Sequence, residues 1–116
     1  MASEGFHELP QDLTPQTRDM HRAIVSLMEE LEAIDWYQQR IDAAADETLR
    51  TILAHNRDEE KEHASMVLEW IRRHDPAFEG HLKTYLFSTE PITERAEKAP
   101  GEEVQGSIPG GRRWNG

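Results

Sequence analysis

At 116 residues, with 36% hydrophobic and 31% charged residues and a mean hydropathy of -0.81, the chain has room for one domain and a composition that leaves part of it unfolded. It contains no cysteine, which excludes disulfides, zinc–thiolate sites, iron–sulfur clusters and thiol nucleophiles, so any metal must take oxygen and nitrogen ligands. A net charge of -10 disfavours a nucleic-acid partner and attracts cations, no run approaches the roughly 18 apolar residues of a membrane span, and the opening MASEGFHELP lacks a basic and apolar leader, so a cytoplasmic chain is expected.

Residues 1–13 read as a flexible N-terminus. Thr14-Pro15 then gives an N-cap with proline at the first helical position, and neither proline nor glycine follows until Pro76. Met20, Ile24, Leu27, Leu31, Ile34 and Ile41 keep a three-four spacing, which predicts a first helix from about Pro15 to about Ala43 with Gln38 as the only polar interruption of its apolar stripe. Ala44-Ala45-Asp46 is a short connection in which Asp46 caps a second helix running to about Arg73, and a connection this short makes the two helices antiparallel neighbours. Asp75-Pro76 starts a shorter third helix with Phe78, Leu82, Tyr85 and Leu86 on one face. The periodic domain spans 14–92, and 93–116, with five of the seven glycines, reads as a disordered tail. The fold class is all-α: an antiparallel two-helix hairpin plus a short third helix. So small a hairpin buries too little apolar surface to be comfortable alone, and it is expected to dimerise into a four-helix bundle.

The second helix carries the chemistry. Its apolar face has Leu49, Ile52 and Leu53 at one end and Val67, Trp70 and Ile71 at the other, but Asn56, Glu60 and His63 project into the middle of the same stripe. A charged glutamate on an apolar face costs several kcal/mol unless something compensates it, and a bound cation would do so. Glu60 and His63 form Glu-x-x-His, which sets a carboxylate and an imidazole side by side; in the charged run from Arg57 to His63, chance alone could also produce it. Glu30, on the flank of the first helix's stripe in line with Ala23 and Tyr37, is the matching carboxylate. Carboxylate-bridged di-iron proteins of four-helix bundles use one glutamate from each of two helices and Glu-x-x-His from each of the other two. This chain supplies one of each, so a twofold dimer would complete the set. Oxygen-rich ligation with imidazole suits iron or manganese.

HRAIVSLMEELEAIDWYQQR and AHNRDEEKEHASMVLEWIRR, with LKTYLF beyond them, make the sequence from about residue 11 to 92 resemble the encapsulated ferritins. The resemblance implies a ferroxidase that oxidises Fe(II) to Fe(III) with O2 and feeds iron mineralisation. Its di-iron ligands would be Glu30, Glu60 and His63, drawn from both subunits of a homodimer. It further implies a ring of five dimers and residence inside an encapsulin shell, with the tail as targeting segment. Gly106-Ser107-Ile108-Pro109-Gly110-Gly111 keeps the outline of a cargo peptide, although the chain goes on through Arg112, Arg113 and Trp114.

The resemblance also marks Glu29, Glu32 and Trp36, on the face of the first helix turned from its stripe, as a metal-uptake site; a solvated acidic face is the plainer alternative. His55, Glu59 and Glu62, at i, i+4 and i+7, could hold a weaker cation, with calcium or another divalent ion the candidate guest of these secondary groups. Tyr37 is a candidate hydrogen-bond donor behind the ligands. Two rival readings stay open: a di-metal peroxidase, and an acidic helical oligomerisation module whose polar centre sets register.

Overall fold

The computed structural model describes residues 5–95, and these are helical with no strand among them. The order is a 3-10 turn at Pro10–Asp12, then α1 (Pro15–Ala43), α2 (Glu47–His74), α3 (Pro76–Tyr85) and α4 (Ile92–Arg95). Each long helix starts where its capping residue dictates. The Thr14 hydroxyl accepts from the Thr17 amide at 3.0 Å, the Asp46 carboxylate from Leu49 at 2.8 Å, and the Asp75 carboxylate from Phe78 at 2.9 Å. The all-α reading and the helix order both hold. The tail from residue 96 onward lies outside the described residues, as does the expected targeting segment within it.

The chain divides into two compact units, the first ending at Ile71 and the second beginning at Arg72. In the first, α1 and the main part of α2 form an antiparallel hairpin. The pairs that meet run in opposite order: Arg50 donates to the Ile41 carbonyl, Arg57 to the Gln38 side chain, His63 faces Glu30, and Val67 and Ala23 line one groove. Before α1, Arg18 donates to the carbonyls of Pro10 and Leu13 at 2.9 and 2.7 Å, and the Phe6 ring lies 4.6 Å from that of His21. Part of the N-terminal segment expected to be flexible is therefore tied to α1 in this structure.

Within the hairpin little is fully covered. Ile41, Ala64 and Ile71 are the only buried apolar residues among those described. The apolar stripe of α1 is wider than the face it gives to α2, so Ile24 and Leu31 stay bare, Leu31 at 53% exposure. Glu30, which the sequence placed at the stripe's edge, points across to α2, on the side of α1 where Ala23, Gln38 and Ile41 also meet that helix. Ile52 and Leu49 are likewise half open on α2. A hairpin with this much uncovered apolar surface favours association.

In the second unit, Arg72 pairs with Glu79 at 2.9 Å and fixes the start of α3, while Arg95 donates to the Thr84 carbonyl at 2.8 Å and reaches Glu90 at 3.4 Å. That guanidinium closes the segment between α3 and α4 onto α3. No helix among the described residues is long and apolar enough to cross a membrane.

Candidate metal centre

Halfway along the hairpin the two long helices bring three ligand-type side chains together. Glu60 and His63 share one face of α2 because three residues advance a helix by slightly less than one turn. Their side chains meet, with Nδ1 of His63 3.3 Å from the Glu60 carboxylate. Glu30 approaches from α1, 3.7 Å from the same imidazole nitrogen. One potential ligand atom from each of the three lies within 4.8 Å of the others, and this is the one such group among the described residues. An ion with bonds of about 2.1 Å spaces adjacent donors by about 3 Å and opposite ones by about 4.2 Å, so small side-chain rotations would close the trio around one cation.

The trio sits at an edge of the hairpin. The Glu30 and Glu60 side chains are 23% and 25% exposed, and that of His63 is 46% exposed. Three donors from one chain leave an oxygen-and-nitrogen-ligated ion short of a full shell, and the open side is where further donors could enter. Two carboxylates and an imidazole, without thiolate, fit Fe(II).

The electrostatics are those of a crowded anionic site. A hydrogen bond to Glu60, which accepts, is the first cause holding the Glu30 carboxyl above its ordinary pKa, with desolvation and the Glu60 charge adding to it. The same hydrogen bond is the first cause holding Glu60 below its ordinary value, helped by His63. The two carboxyls thus push each other's proton affinity in opposite directions, Glu30 towards holding its proton and Glu60 towards releasing it.

The other candidates stand apart. Tyr37 lies two turns from Glu30, about 10 Å along α1, with the Arg40 guanidinium 5.4 Å over its ring. Trp36 and Glu29 are exposed and Glu32 half-buried on the far face of α1. His55 and Glu59 form an ion pair at 3.1 Å in solvent, which Glu62, also exposed, does not extend into a three-ligand cluster. One feature near the trio escaped the sequence reading. One turn from Glu60, Arg57 donates to the Gln38 amide oxygen at 2.8 Å, while the Gln38 nitrogen donates to Asp42 at 3.0 Å. The signal was present, since Gln38 is the lone polar break in the α1 stripe.

A glutamate on one helix opposite Glu-x-x-His on its neighbour is an arrangement that ferritin-like carboxylate bundles use. The comparisons agree: the chain belongs to the encapsulated ferritin-like family, whose profile, described as EncFtn-like, matches residues 5–89. It is 60% identical over 92 residues to the encapsulated ferritin-like protein of Rhodospirillum rubrum, covering 79% of this chain and 66% of that protein, just under two thirds of its length. It is 52% identical over 99 residues to a ferritin-like protein of Thermotoga maritima, covering 85% of this chain and 87% of the relative. It is 36% identical over 104 residues to a Myxococcus xanthus protein named encapsulin nanocompartment cargo protein EncC, covering 84% of this chain and 78% of the relative. A crystal structure of a protein from Nitrosomonas europaea superposes with a TM-score of 0.74 at 65% identity, covering 76% of this chain and 97% of that one.

Proposed function

We propose that this chain is a ferroxidase that oxidises Fe(II) with O2 at a di-iron site made by Glu30, Glu60 and His63 of two copies. The observation that carries the reading is the convergence of these three side chains at an open edge of the hairpin. A second copy facing that edge supplies the same three ligands, and the resulting four carboxylates balance the charge of two ferrous ions. Ferrous iron is the substrate: each of the two ions gives up one electron, one dioxygen takes both electrons with two protons from water to leave as hydrogen peroxide, and the ferric product moves on to mineralise. Glu30 bridges the pair, Glu60 and His63 complete the shell of each ion, and Tyr37 stands further along as a hydrogen-bond donor. Glu29, Glu32 and Trp36 act in iron uptake. Because a Myxococcus xanthus relative carries the name of an encapsulin cargo protein, the same compartment is proposed here, with the dimers in a ring of five and the tail beyond Arg95 as the targeting segment.

Purified protein titrated anaerobically with Fe(II) and then exposed to air is the test. Two irons bound per dimer and rapid appearance of ferric absorbance are expected; binding without oxidation, or no binding, rejects the ferroxidase. One observation favours a second reading. The Glu30–Glu60 hydrogen bond satisfies the site without metal, as in a polar network that only sets register. That reading requires the same assembly in chelator as in Fe(II). Truncation after Arg95 preserves the Thr84 contact and is expected to abolish loading into a co-expressed shell while oxidation persists.

A further inference from the structure

A permanently charged cation lies one helical turn from the candidate metal centre and is held off it. Arg57 stands three residues before Glu60 on α2, the spacing at which a guanidinium and a carboxylate on one helix ordinarily pair. Among the described residues its partners are others. Its Nε donates to Asp58 at 2.9 Å, and its Nη1 crosses the hairpin to the amide oxygen of Gln38 at 2.8 Å. The direction of that amide is set in turn, because the Gln38 nitrogen donates to Asp42 at 3.0 Å and leaves the oxygen to face α2. The Arg57 side chain is only 21% exposed, so its guanidinium is held in place rather than averaged in water.

We propose that Gln38 is a positioning residue for the metal centre: by holding the Arg57 guanidinium across the hairpin, it keeps Glu60 free to ligate iron. The inference rests on the reading of Glu30, Glu60 and His63 as the iron site. An Arg57–Glu60 ion pair would occupy the carboxylate oxygens that a cation needs, and iron would have to displace it. Asp58 already balances the charge of Arg57, so what Gln38 contributes is direction. The same purpose accounts for a glutamine in the otherwise apolar stripe of α1, where packing alone favours leucine or methionine. A hydrogen bond that merely stapled the helices would be lost whichever partner was removed. A restraint on Arg57, by contrast, becomes unnecessary once Arg57 is gone.

The test uses that difference. Gln38→Met removes the acceptor while keeping a side chain of similar length that suits the stripe, so the hairpin still folds. Fe(II) is titrated anaerobically into the full-length parent, Gln38→Met, Arg57→Ala and the double variant, and its dissociation constant is read by competition with a ferrous chelator. Gln38→Met is expected to bind Fe(II) about 10-fold more weakly than the parent, and the double variant to return to within about twofold of it. Arg57→Ala alone is expected to bind at least as tightly as the parent. Parent-like binding by Gln38→Met, a double variant as weak as Gln38→Met, or weakened binding in Arg57→Ala overturns the proposal while leaving the iron site intact. A parent chain that binds no Fe(II) rejects the iron site itself, and the positioning role with it.

Discussion

Two acidic clusters on α2 use the same residue types within eight positions of each other and end in different chemical states. Glu60 and His63 meet Glu30 across the hairpin, where the two carboxylates are half-buried, whereas His55 and Glu59 pair with each other in solvent. A carboxylate and an imidazole become a candidate metal site when a third ligand-type side chain joins them from another element. Without it, the same two groups make an ordinary surface ion pair, worth about 0.5 kcal/mol or less. What separates them is the direction each residue takes around the helix.

The sharpest way to break this contrast is by substitution. Glu30→Ala, Glu60→Ala and His63→Ala should each lower the initial rate of Fe(II) oxidation in air by about 100-fold or more, since each removes a ligand twice per dimer. Glu59→Ala and Glu62→Ala, in the same charged run, should stay within about threefold of the parent rate. Ferric absorbance at equal protein concentration checks all five. A larger loss in Glu59→Ala than in Glu60→Ala would mean that the wrong helical face has been assigned.

Metal should sharpen the difference next. Anaerobic Fe(II) is expected to raise both the mass in sedimentation and the thermal midpoint, by about 3 kcal/mol of stabilisation once free metal exceeds the dissociation constant about 100-fold. His63→Ala should lose most of this gain, and His55→Ala should keep it.

A smaller effect comes from pH. In metal-free protein the folded state holds the Glu30 proton more tightly than the unfolded chain does. Stability from this group is therefore complete below its unfolded pKa and is lost as pH rises through the raised folded value. The depressed Glu60 works oppositely, its contribution being lost as pH falls through its folded pKa. Melting curves between pH 4 and pH 7 should show the upper loss in the parent protein and not in Glu30→Gln. The smallest expected effect is His55→Ala, whose pair is more than half exposed on both sides; the thermal midpoint should change by no more than about 1 °C.

Much of this was legible in the sequence because it is local. Thr14, Asp46 and Asp75 mark the helix starts through hydrogen bonds that span only three residues, and Glu-x-x-His is a spacing within a single helix. The width of the α1 stripe was legible too, but not how it would be used. Ile24 and Leu31 look like core in the periodicity and are left bare in the hairpin, while Glu30, at the margin of that pattern, takes the inward direction.

The sequence alone determined the helices, their caps, the exclusion of thiolate chemistry and the Glu-x-x-His spacing, since each follows from composition or from contacts within a few positions. Tertiary structure decided which side of each helix faces the other, that the Glu30 and Glu60 carboxyls shift each other in opposite directions, that Arg57 reaches Gln38 across the hairpin, and that Phe87 is held out from the chain at a positive φ. The physical reason is that periodicity fixes the angle of a side chain around its own axis, whereas the rotation of one helix against its neighbour is set by the sum of many packing contacts between residues distant in sequence.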